Sequence, residues 1–243
     1  MHSHSYNFYI LFLGVALMPL LIQSDAAEVE YPIPITNAKW IAAEAPGAEE
    51  GEALSIGSQG VHVMPGESTP GQKRPLPIFR QSFILEDDSI TSAWAAICGL
   101  GHFELSVNGE KAGDHFLDPP WSDYADTCYF VRFDVADLLK PGENVIGVML
   151  GNGMYNVRGG RYAKFIGSFG PPKLIFCLVV SQGGKEKIIL SDDTWKTDDG
   201  PITFSCIYGG EDYDARKEQP GWDQPGFDDS RWKSVKVVDG PGG

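Results

Sequence analysis

The stretch from Gly99 to Tyr124, GLGHFELSVNGEKAGDHFLDPPWSDY, is the part of the sequence that most constrains the fold. Within it, Phe103–Val107 alternates apolar and polar residues, which is the period-2 pattern of a strand with one buried face. Asn108-Gly109 follows directly. This dipeptide favours a two-residue type I′ turn, because both central residues of that turn need a positive φ. The stretch therefore predicts a β-hairpin.

The loop after this hairpin is a candidate ligand site. Pro119 and Pro120 stiffen the backbone immediately before Trp121, and several aspartates lie nearby in the sequence. A stiff loop of this kind can present an aromatic face and hydrogen-bond acceptors to a polar ligand, although ordinary sandwich loops have a similar composition.

Short strand-like segments separated by turns fill the rest of the chain. Its 29 glycines and 17 prolines punctuate the sequence too often for long helices. No helix of about ten residues or more is indicated beyond the N-terminal apolar run, so about ten short strands predict an all-β sandwich. The predicted strands are Lys39–Ile41, Ile78–Leu85, Thr91–Cys98, Cys128–Val135, Asn144–Leu150, Lys173–Ser181, Glu186–Leu190, Ile202–Tyr208 and Lys233–Val238.

Two tryptophans and one long loop complete this pattern. Trp195 and Trp232 each follow an acidic turn, and we interpret both as core anchors at the start of a strand. The segment Gly209–Asp229, rich in Gly, Pro and Asp, is predicted to be a long loop.

The charge balance excludes some classes of partner. The chain carries a formal net charge of −14, from 33 acidic and 19 basic residues. An acidic surface repels phosphate groups, so nucleic acids and anionic membranes are disfavoured as partners.

The N-terminus predicts export. Phe8–Ile22 is an apolar run that is too short for a comfortable membrane span, and Ser24-Asp25-Ala26 fits a small-x-small cleavage site. We predict a signal peptide over residues 1–26, with an uncleaved anchor as the alternative, and a secreted or periplasmic protein. The remaining predicted units are an extension with a first strand and an irregular insertion (27–77), the sandwich (78–239) and a short linker (240–243).

Four cysteines bear on this localisation: Cys98, Cys128, Cys177 and Cys206. An oxidising compartment permits disulfides, and four cysteines allow three connectivities. Their spacing lacks a C-x-x-C motif, so a zinc site has little support. Two interpretations stay open: four small buried side chains, or one disulfide.

Five blocks in series identify a family. They are GLGHFELSVNGEKAGD, PPWSDY, DVADLLKPGENVIGVMLGNGMYN, IYGGEDYDAR and GWDQPGFDDSRW. In this order they resemble the N-terminal module of family 78 α-L-rhamnosidases, over roughly Phe79–Trp232. The resemblance implies a jelly-roll-like β-sandwich of the galactose-binding type that assists substrate recognition. Related modules bind L-rhamnose, in some cases with calcium.

The resemblance also implies that the catalytic carboxylates lie elsewhere. In the family they belong to an (α/α)6 barrel downstream of the module, and nothing in this sequence corresponds to that barrel. The chain therefore looks like a fragment or a natural stand-alone module. Met154 departs from the family, which often has an aromatic residue there, so a stacking role at this position is in doubt.

One acidic motif could still suggest catalysis. An inverting glycosidase needs two carboxyl groups about 6.5–9.5 Å apart, one of them protonated. Glu211, Asp212 and Asp214 form a dense acidic set, but Arg216 nearby is expected to lower carboxyl pKa values, which suits a salt-bridged turn better than a general acid. We assign no catalytic residue and expect this motif to dock the module against a following domain.

Carbohydrate recognition asks for an aromatic face and a few fixed polar groups. Asn108 has a simpler alternative role as a turn former. No cofactor is required, but the Asp-rich loops could supply oxygen ligands to calcium, with no ligand set assigned. The candidate sugar-binding residues are Trp121, Tyr124, Tyr155, Glu104, Asn108, Asp114 and Asn152, with Asp123 as a further acceptor.

The sequence thus predicts a non-catalytic recognition or docking module of a secreted α-L-rhamnosidase that hydrolyses terminal L-rhamnose from glycosides. Its partners would be an L-rhamnose-containing glycan and the catalytic domain of the same polypeptide, without nucleic acid and without a membrane after signal cleavage. The alternatives are a stand-alone rhamnose-binding lectin and a small glycosidase that uses Glu211 and Asp214. A reading frame that continues past Gly243 into a long helical region would separate the first hypothesis from the lectin.

Overall fold

The computed structural model describes residues 34–44, 75–86, 89–157 and 167–241. The predicted signal peptide, most of the irregular insertion and the 240–243 linker's last two residues lie outside these ranges. The described helices are three short 3-10 turns, and none of them is long and apolar enough to cross a membrane. Their bounds are Pro34–Asn37, Ala136–Leu138 and Ala215–Lys217.

Six strands form the first sheet. They are β1 (Trp40–Ala42), β3 (Ile90–Leu100), β6 (Val131–Asp134), β10 (Lys173–Gln182), β11 (Lys185–Leu190) and β16 (Lys236–Val238). Their order is β16-β1-β10-β3-β6, and β11 pairs with β10. The first strand, which precedes the long insertion, is thus part of the same sheet as the C-terminal strand.

Six further strands form the second sheet, and four more pair as two small two-stranded sheets. The second sheet has the order β15-β12-β2-β7-β4-β5, and every pairing in the described structure is antiparallel. The bounds are β2 (Pro77–Leu85), β4 (Phe103–Val107), β5 (Glu110–Lys111), β7 (Gly142–Leu150), β12 (Lys196–Asp199) and β15 (Lys233–Ser234). The two-stranded sheets are β8 (Asn156–Val157) with β9 (Gly167–Ser168) and β13 (Ile202–Cys206) with β14 (Gly210–Tyr213).

The main core lies between the two six-stranded sheets. Alternate residues of the central strands point into it, among them Ile97 of β3, Phe176 of β10 and Val148 of β7, all inaccessible to solvent. The strands β3 and β10 also bury their opposite faces, where Cys98 and Cys177 pack in a second cluster. Burial on both faces explains why these two strands are apolar nearly throughout rather than alternating. The predicted all-β sandwich is confirmed.

Both tryptophans predicted as core anchors are buried. Trp195 is inaccessible to solvent and its Nε1 donates to the Leu190 carbonyl at 2.9 Å. Trp232 is 8% exposed and its Nε1 donates to Gln219 Oε1 at 3.0 Å. Each ring therefore combines apolar burial with a satisfied indole N–H.

The C-terminal strand differs from its prediction. The segment Lys233–Val238 is divided, because β15 pairs with β12 in the second sheet whereas β16 pairs with β1 in the first. Val235 lies between them, buried in the core, and its N–H donates to the Trp195 carbonyl at 3.1 Å. The chain thus crosses from one sheet to the other at the edge of the sandwich.

Two other boundaries were also wrong. The predicted strand Cys128–Val135 pairs only from Val131 onwards, as β6. The predicted loop Gly209–Asp229 begins with β14, which pairs with β13 over Ile202–Cys206.

A buried arginine attaches the remainder of this loop to the second sheet. Arg80 of β2 is only 2% exposed. Its Nη1 donates to the carbonyl oxygens of Trp222 and Gln224 at 2.8 and 2.9 Å, and its Nε donates to Asp229 Oδ2 at 2.9 Å. Lys196 Nζ contacts the other Asp229 oxygen at 2.6 Å. We call Arg80, Lys196 and Asp229, with the two carbonyl groups, the Arg80 network.

Candidate functional site

The predicted hairpin forms and leads into the candidate loop. Asn108 and Gly109 have φ values of 55° and 85°, as the type I′ turn requires, and β4 pairs with β5 on either side. Residues 112–130 follow, here called the β5–β6 loop. Its first half runs back along β4, since the Phe103 N–H donates to the Asp118 carbonyl at 2.9 Å, and the Asp118-Pro119 peptide bond is cis.

The second half of the β5–β6 loop is a compact turn. The Asp123 side chain accepts the N–H of Ala125 at 3.1 Å, and its carbonyl accepts the N–H of Thr127 at 2.8 Å. Ser122 Oγ donates to the Thr127 carbonyl at 2.7 Å. Asp123 is therefore a turn-forming residue, with one carboxylate oxygen engaged by the backbone.

Three aromatic rings hold this turn against the body of the sandwich. Tyr124 packs edge-on against Tyr155 and Phe169, with ring centroids 5.1 and 5.2 Å apart. Tyr155 stacks on Phe169 at 5.7 Å and its hydroxyl donates to the Phe169 carbonyl at 3.0 Å. We call these residues the aromatic triad.

The aromatic triad corrects the expectation that Tyr124 and Tyr155 offer ring faces to a sugar. They are only 6% and 2% exposed, because they cover the outer face of the first sheet. Their rings are therefore packing groups. Phe169, which is 41% exposed, is the member with an accessible edge, and no pattern in the sequence marked it. Burial also raises the pKa of Tyr124, to about 12, with the Cys128 and Cys98 thiols adding to the shift.

Trp121 is exposed, as expected of a ligand-binding aromatic residue. Its side chain is 57% exposed, three residues before the buried Tyr124. The loop is therefore anchored at Tyr124 and presents the Trp121 indole to solvent.

The exposed polar candidates lie along β4 and the first half of the loop. Glu104 is exposed on β4 and pairs with Lys111 Nζ at 3.3 Å, and that ammonium group lies 4.0 Å from the centroid of the Phe116 ring. Asp114 is exposed. His115 Nδ1 contacts Asp118 Oδ2 at 3.0 Å. Glu104 and Asp114 are thus accessible, and the structure adds Lys111 and Phe116, which the sequence did not single out.

Asn108 does not belong to this site. Its Nδ2 donates to the Leu138 carbonyl and to Asn144 Oδ1, both at 2.8 Å, and its Oδ1 accepts the Val145 N–H at 2.9 Å. It also lies at the far end of β4 from Phe103, roughly 17 Å away along a five-residue strand. The alternative interpretation of Asn108, as a turn former, is the one that fits.

Asn152 is likewise engaged within the fold. Its Nδ2 donates to the Ser205 carbonyl at 3.0 Å and its Oδ1 accepts from Asn156 Nδ2 at 2.8 Å. The asparagine links the loop before β8 to β13. Nearby Met154 is 8% exposed and packs with Val157. A packing role therefore accounts for the residue that departs from the family pattern.

A half-buried histidine lies at the same end of the sandwich as Asp118. Burial lowers the pKa of His102, and the carboxylate of Asp118 partly opposes that shift. The His102 carbonyl accepts the N–H of Gly151 at 2.6 Å. Gly101 has a φ of 112°, and a Cβ at this position would overlap the carbonyl oxygen of Gly151. Only glycine permits this close approach of two loops.

Asp214, within the acidic motif around β14, lacks the chemistry of a general acid. Asp214 caps the 3-10 helix Ala215–Lys217. Its carboxylate also accepts hydrogen bonds from Nε and Nη2 of Arg216, at 2.8 and 2.7 Å. This hydrogen bonding lowers the pKa of Asp214 to about 2. Asp214 is therefore ionised at neutral pH, which agrees with the effect expected of Arg216. Glu211 is exposed on β14.

The described ranges contain no group of three or more His, Cys, Asp or Glu side chains that could hold a metal ion.

This chain is similar in sequence to a known protein family. Residues 88–243 match the family described as Alpha-L-rhamnosidase N-terminal domain. The chain is 40% identical over 163 residues to an α-L-rhamnosidase of Formosa agariphila, covering 65% of this chain and 17% of the relative. It is 33% identical over 201 residues to an α-L-rhamnosidase of Streptomyces avermitilis, covering 80% and 18%.

Solved structures of α-L-rhamnosidases are also similar to this chain. The α-L-rhamnosidase from Dictyoglumus thermophilum matches with a TM-score of 0.66 and 37% identity, over 85% of this chain and 22% of that one. The native enzyme from Aspergillus terreus matches with a TM-score of 0.70 and 32% identity, over 87% and 22%. The chain therefore spans about a fifth of the length of these relatives.

Proposed function

This chain belongs to the family of α-L-rhamnosidase N-terminal domains, and we propose that it is a non-catalytic module that helps a secreted α-L-rhamnosidase to recognise terminal L-rhamnose. Its ligand is a rhamnose-containing glycan or glycoside, bound at the β5–β6 loop. Its second partner is the catalytic domain of the same polypeptide.

The observation that carries the recognition role is the exposed Trp121 on an anchored loop. A sugar ring has an apolar C–H face that packs on aromatic rings. Trp121 is 57% exposed, whereas Tyr124, three residues later, is fixed by the aromatic triad. A pre-ordered loop loses little conformational entropy on binding, so the contact energy of the indole is retained as affinity.

The ionisation of Asp214 supports the non-catalytic role, because it removes this residue as a general acid. Asp214 has its carboxylate bound by Arg216 and a pKa near 2. A glycosidase acid must hold a proton at the working pH, and Asp214 is ionised there.

The β13–β14 hairpin supports the docking role. Tyr213 is 58% exposed and the Arg216 side chain is 89% exposed, beside Glu211. An exposed tyrosine flanked by both charge signs is a suitable contact for another domain, since tyrosine and arginine are enriched in interfaces. We assign this surface to the catalytic domain.

Isothermal titration of the purified chain with L-rhamnose tests the recognition role. Covering about 60–100 Å² of the indole at about 25 cal/mol/Å² contributes roughly 1.5–2.5 kcal/mol. Trp121→Ala is therefore expected to weaken binding by about 10–70-fold. Tyr213→Ala is the matched control, because Tyr213 is 58% exposed and lies on the hairpin assigned to docking. Equal losses in both variants, or no heat with the folded wild-type chain, would refute recognition at the loop.

Calcium is examined in the same titration. The measurement is made in chelator and again with added calcium ions, because the family resemblance suggests calcium in some modules. A rhamnose affinity that rises with calcium would assign the ion a role. Equal affinities in the two conditions argue against one.

Hydrolysis and export are tested separately. The purified chain is expected to leave an aryl α-L-rhamnoside intact, and turnover that disappears in Glu211→Gln would revive the glycosidase hypothesis. The apolar run Phe8–Ile22 supports secretion. N-terminal sequencing of the exported product is expected to begin at Ala27. A product that still begins at Met1 would favour the uncleaved anchor.

A further inference from the structure

We propose that Cys98 and Cys128 form a disulfide in the exported protein, and that this bond ties the end of the β5–β6 loop to the central strand β3. The bond rests on the proposed export into an oxidising compartment, but it is a covalent modification of the fold and does not depend on which ligand the loop binds.

The two thiols are neighbours although they lie far apart in sequence. Cys98 is inaccessible to solvent on the outer face of β3, and Cys128 is half-buried in the extended segment just before β6. Cys128 packs against the buried cluster that contains Cys98, and each thiol affects the pKa of the other. Both pack in the cluster that contains Tyr124.

The other cysteines are less suitable partners for Cys98. The ladder between β3 and β10 pairs Cys98 with Ile175 and places Cys177 opposite Ala96. Cys98 and Cys177 are therefore diagonal neighbours, whose Cα atoms lie about 7–8 Å apart, beyond the usual reach of a disulfide. Cys206 packs in a different cluster. Cys128 precedes the first paired residue of β6, so no ladder holds it away from Cys98.

The reaction is an exchange with a disulfide oxidant of the exporting compartment, either a protein disulfide or a small-molecule disulfide. The Cys128 thiolate, which is the more accessible of the two, attacks one sulfur of the oxidant and releases the other as a thiol. The Cys98 sulfur then attacks Cys128 and releases the second thiol. The two cysteines lose two protons and two electrons, and the oxidant is reduced to two thiols.

Burial influences the rate of this exchange. It raises the pKa of the Cys98 thiol, and the neighbouring Cys128 adds to that effect. Burial also raises the pKa of Cys128. Both thiols are therefore protonated at neutral pH, so bond formation is slow without a catalyst and faster at alkaline pH.

The bond would close a loop of about 30 residues that contains the hairpin and Trp121. A crosslink of this size restricts the unfolded chain enough to raise the Tm by about 8–15 °C for a protein of this length.

Disulfide mapping of the full chain, produced by export into an oxidising compartment, is the direct test. The protein is denatured without reductant, alkylated, digested and analysed by mass spectrometry. The expected product is a peptide pair linked through Cys98 and Cys128, two hydrogens lighter than the free thiols, with Cys177 and Cys206 alkylated. Alkylation of both Cys98 and Cys128 would overturn the proposal, as would any linkage that includes Cys177 or Cys206.

Thermal unfolding with and without reductant gives a second measure. Reductant is expected to lower the Tm of the wild-type chain by about 8–15 °C and to leave that of Cys128→Ser unchanged. Cys177→Ala is the matched control, since it removes a buried thiol of the same cluster and should keep the reductant-dependent shift. A wild-type Tm that is the same in both conditions would overturn the proposed tie. If Cys128→Ser fails to fold, the mapping of the wild-type chain decides by itself.

Discussion

Replacing Arg80 by methionine tests how the C-terminal segment is held on the second sheet. The guanidinium is 2% exposed and donates to Asp229 and to two backbone carbonyl groups. The Arg80→Met variant keeps much of the apolar stem and removes all three hydrogen bonds. Asp229 keeps Lys196 as a partner, but the two carbonyl groups lose their donor.

The expected loss of unfolding free energy is about 3–5 kcal/mol. Each hydrogen bond to a charged group contributes roughly 1.5–3 kcal/mol when measured alone. The three share one guanidinium and are not additive, so the total is better represented by the cost of about 3–5 kcal/mol for removing one partner of a buried ion pair. For a protein of this length, that loss lowers the Tm by about 6–20 °C.

Urea unfolding monitored by tryptophan fluorescence measures this loss, because Trp222 and Trp232 stack beside the network with ring centroids 6.2 Å apart. Arg231→Met is the matched control, since Arg231 is exposed in the same segment and should change stability by less than about 0.5 kcal/mol. A loss below about 1 kcal/mol for Arg80→Met would refute a stabilising role for the network.

The pH dependence provides an independent check on the same network. Burial alone would raise the pKa of Asp229, but hydrogen bonds from Lys196 and Arg80 outweigh it and lower the pKa below the ordinary value of 3.8. A lowered carboxyl pKa contributes stability above pH 3.8 that is lost as the pH falls through the folded-state value. The deficit of Arg80→Met should therefore be largest near neutral pH and should shrink below pH 3.8. A deficit that stays constant from about pH 7 to pH 3 would contradict this assignment.

Three further substitutions test the loops around the site, each by urea unfolding. Gly101→Ala should lower the unfolding free energy by more than about 3 kcal/mol, because the added Cβ meets the Gly151 carbonyl. Gly142 also has a positive φ but open space around it, so Gly142→Ala should lower the unfolding free energy by about 1 kcal/mol. Equal losses in the two variants would argue against the close approach of the two loops. Asn108→Ala should lower the unfolding free energy by about 2–4 kcal/mol, because it removes three side-chain hydrogen bonds at a residue whose φ is 55°. A loss under about 1 kcal/mol would reopen a ligand-binding role for Asn108. Tyr155→Phe should cost about 1 kcal/mol by removing one hydrogen bond to a carbonyl, and an unchanged stability would indicate that this hydroxyl has no net effect.

Local patterns in the sequence were enough for several elements of the fold. The Asn108-Gly109 turn followed from backbone sterics alone, because few residues adopt a positive φ and this dipeptide supplies two of them in a row. The β3 and β10 strands were recognisable from their apolar runs. Both features involve interactions within a few residues, so a short window contains the necessary information.

Long-range contacts explain the features that local patterns missed. The split of Lys233–Val238 between two sheets depends on where β12 and β1 end in space. Arg80 is a charged residue within an apolar strand, and its burial depends on a segment some 140 residues later. Neither fact leaves a local signal, since the partner groups include backbone carbonyls that any sequence would supply.

The candidate site shows the same division between local and distant information. The sequence identified the β5–β6 loop and its aromatic candidates, Trp121 and Tyr124, because turn residues and prolines mark a surface loop. It could not separate Trp121 from Tyr124, since both are aromatic residues in one loop and composition does not report burial. Tyr124 is buried because it packs against Tyr155 and Phe169, contributed by other loops, and against the outer face of the first sheet.

By itself, the sequence determined the all-β class, the family, the hairpin and the loop that follows it, because strand periodicity, turn chemistry and ordered motifs are properties of neighbouring residues. Only the tertiary structure decided which members of that loop face solvent, which asparagines use their side chains in hydrogen bonds within the fold, and which cysteine lies near Cys98. These outcomes depend on the packing of strands far apart in the chain, where burial and hydrogen-bond geometry are set by partners that no local pattern can name.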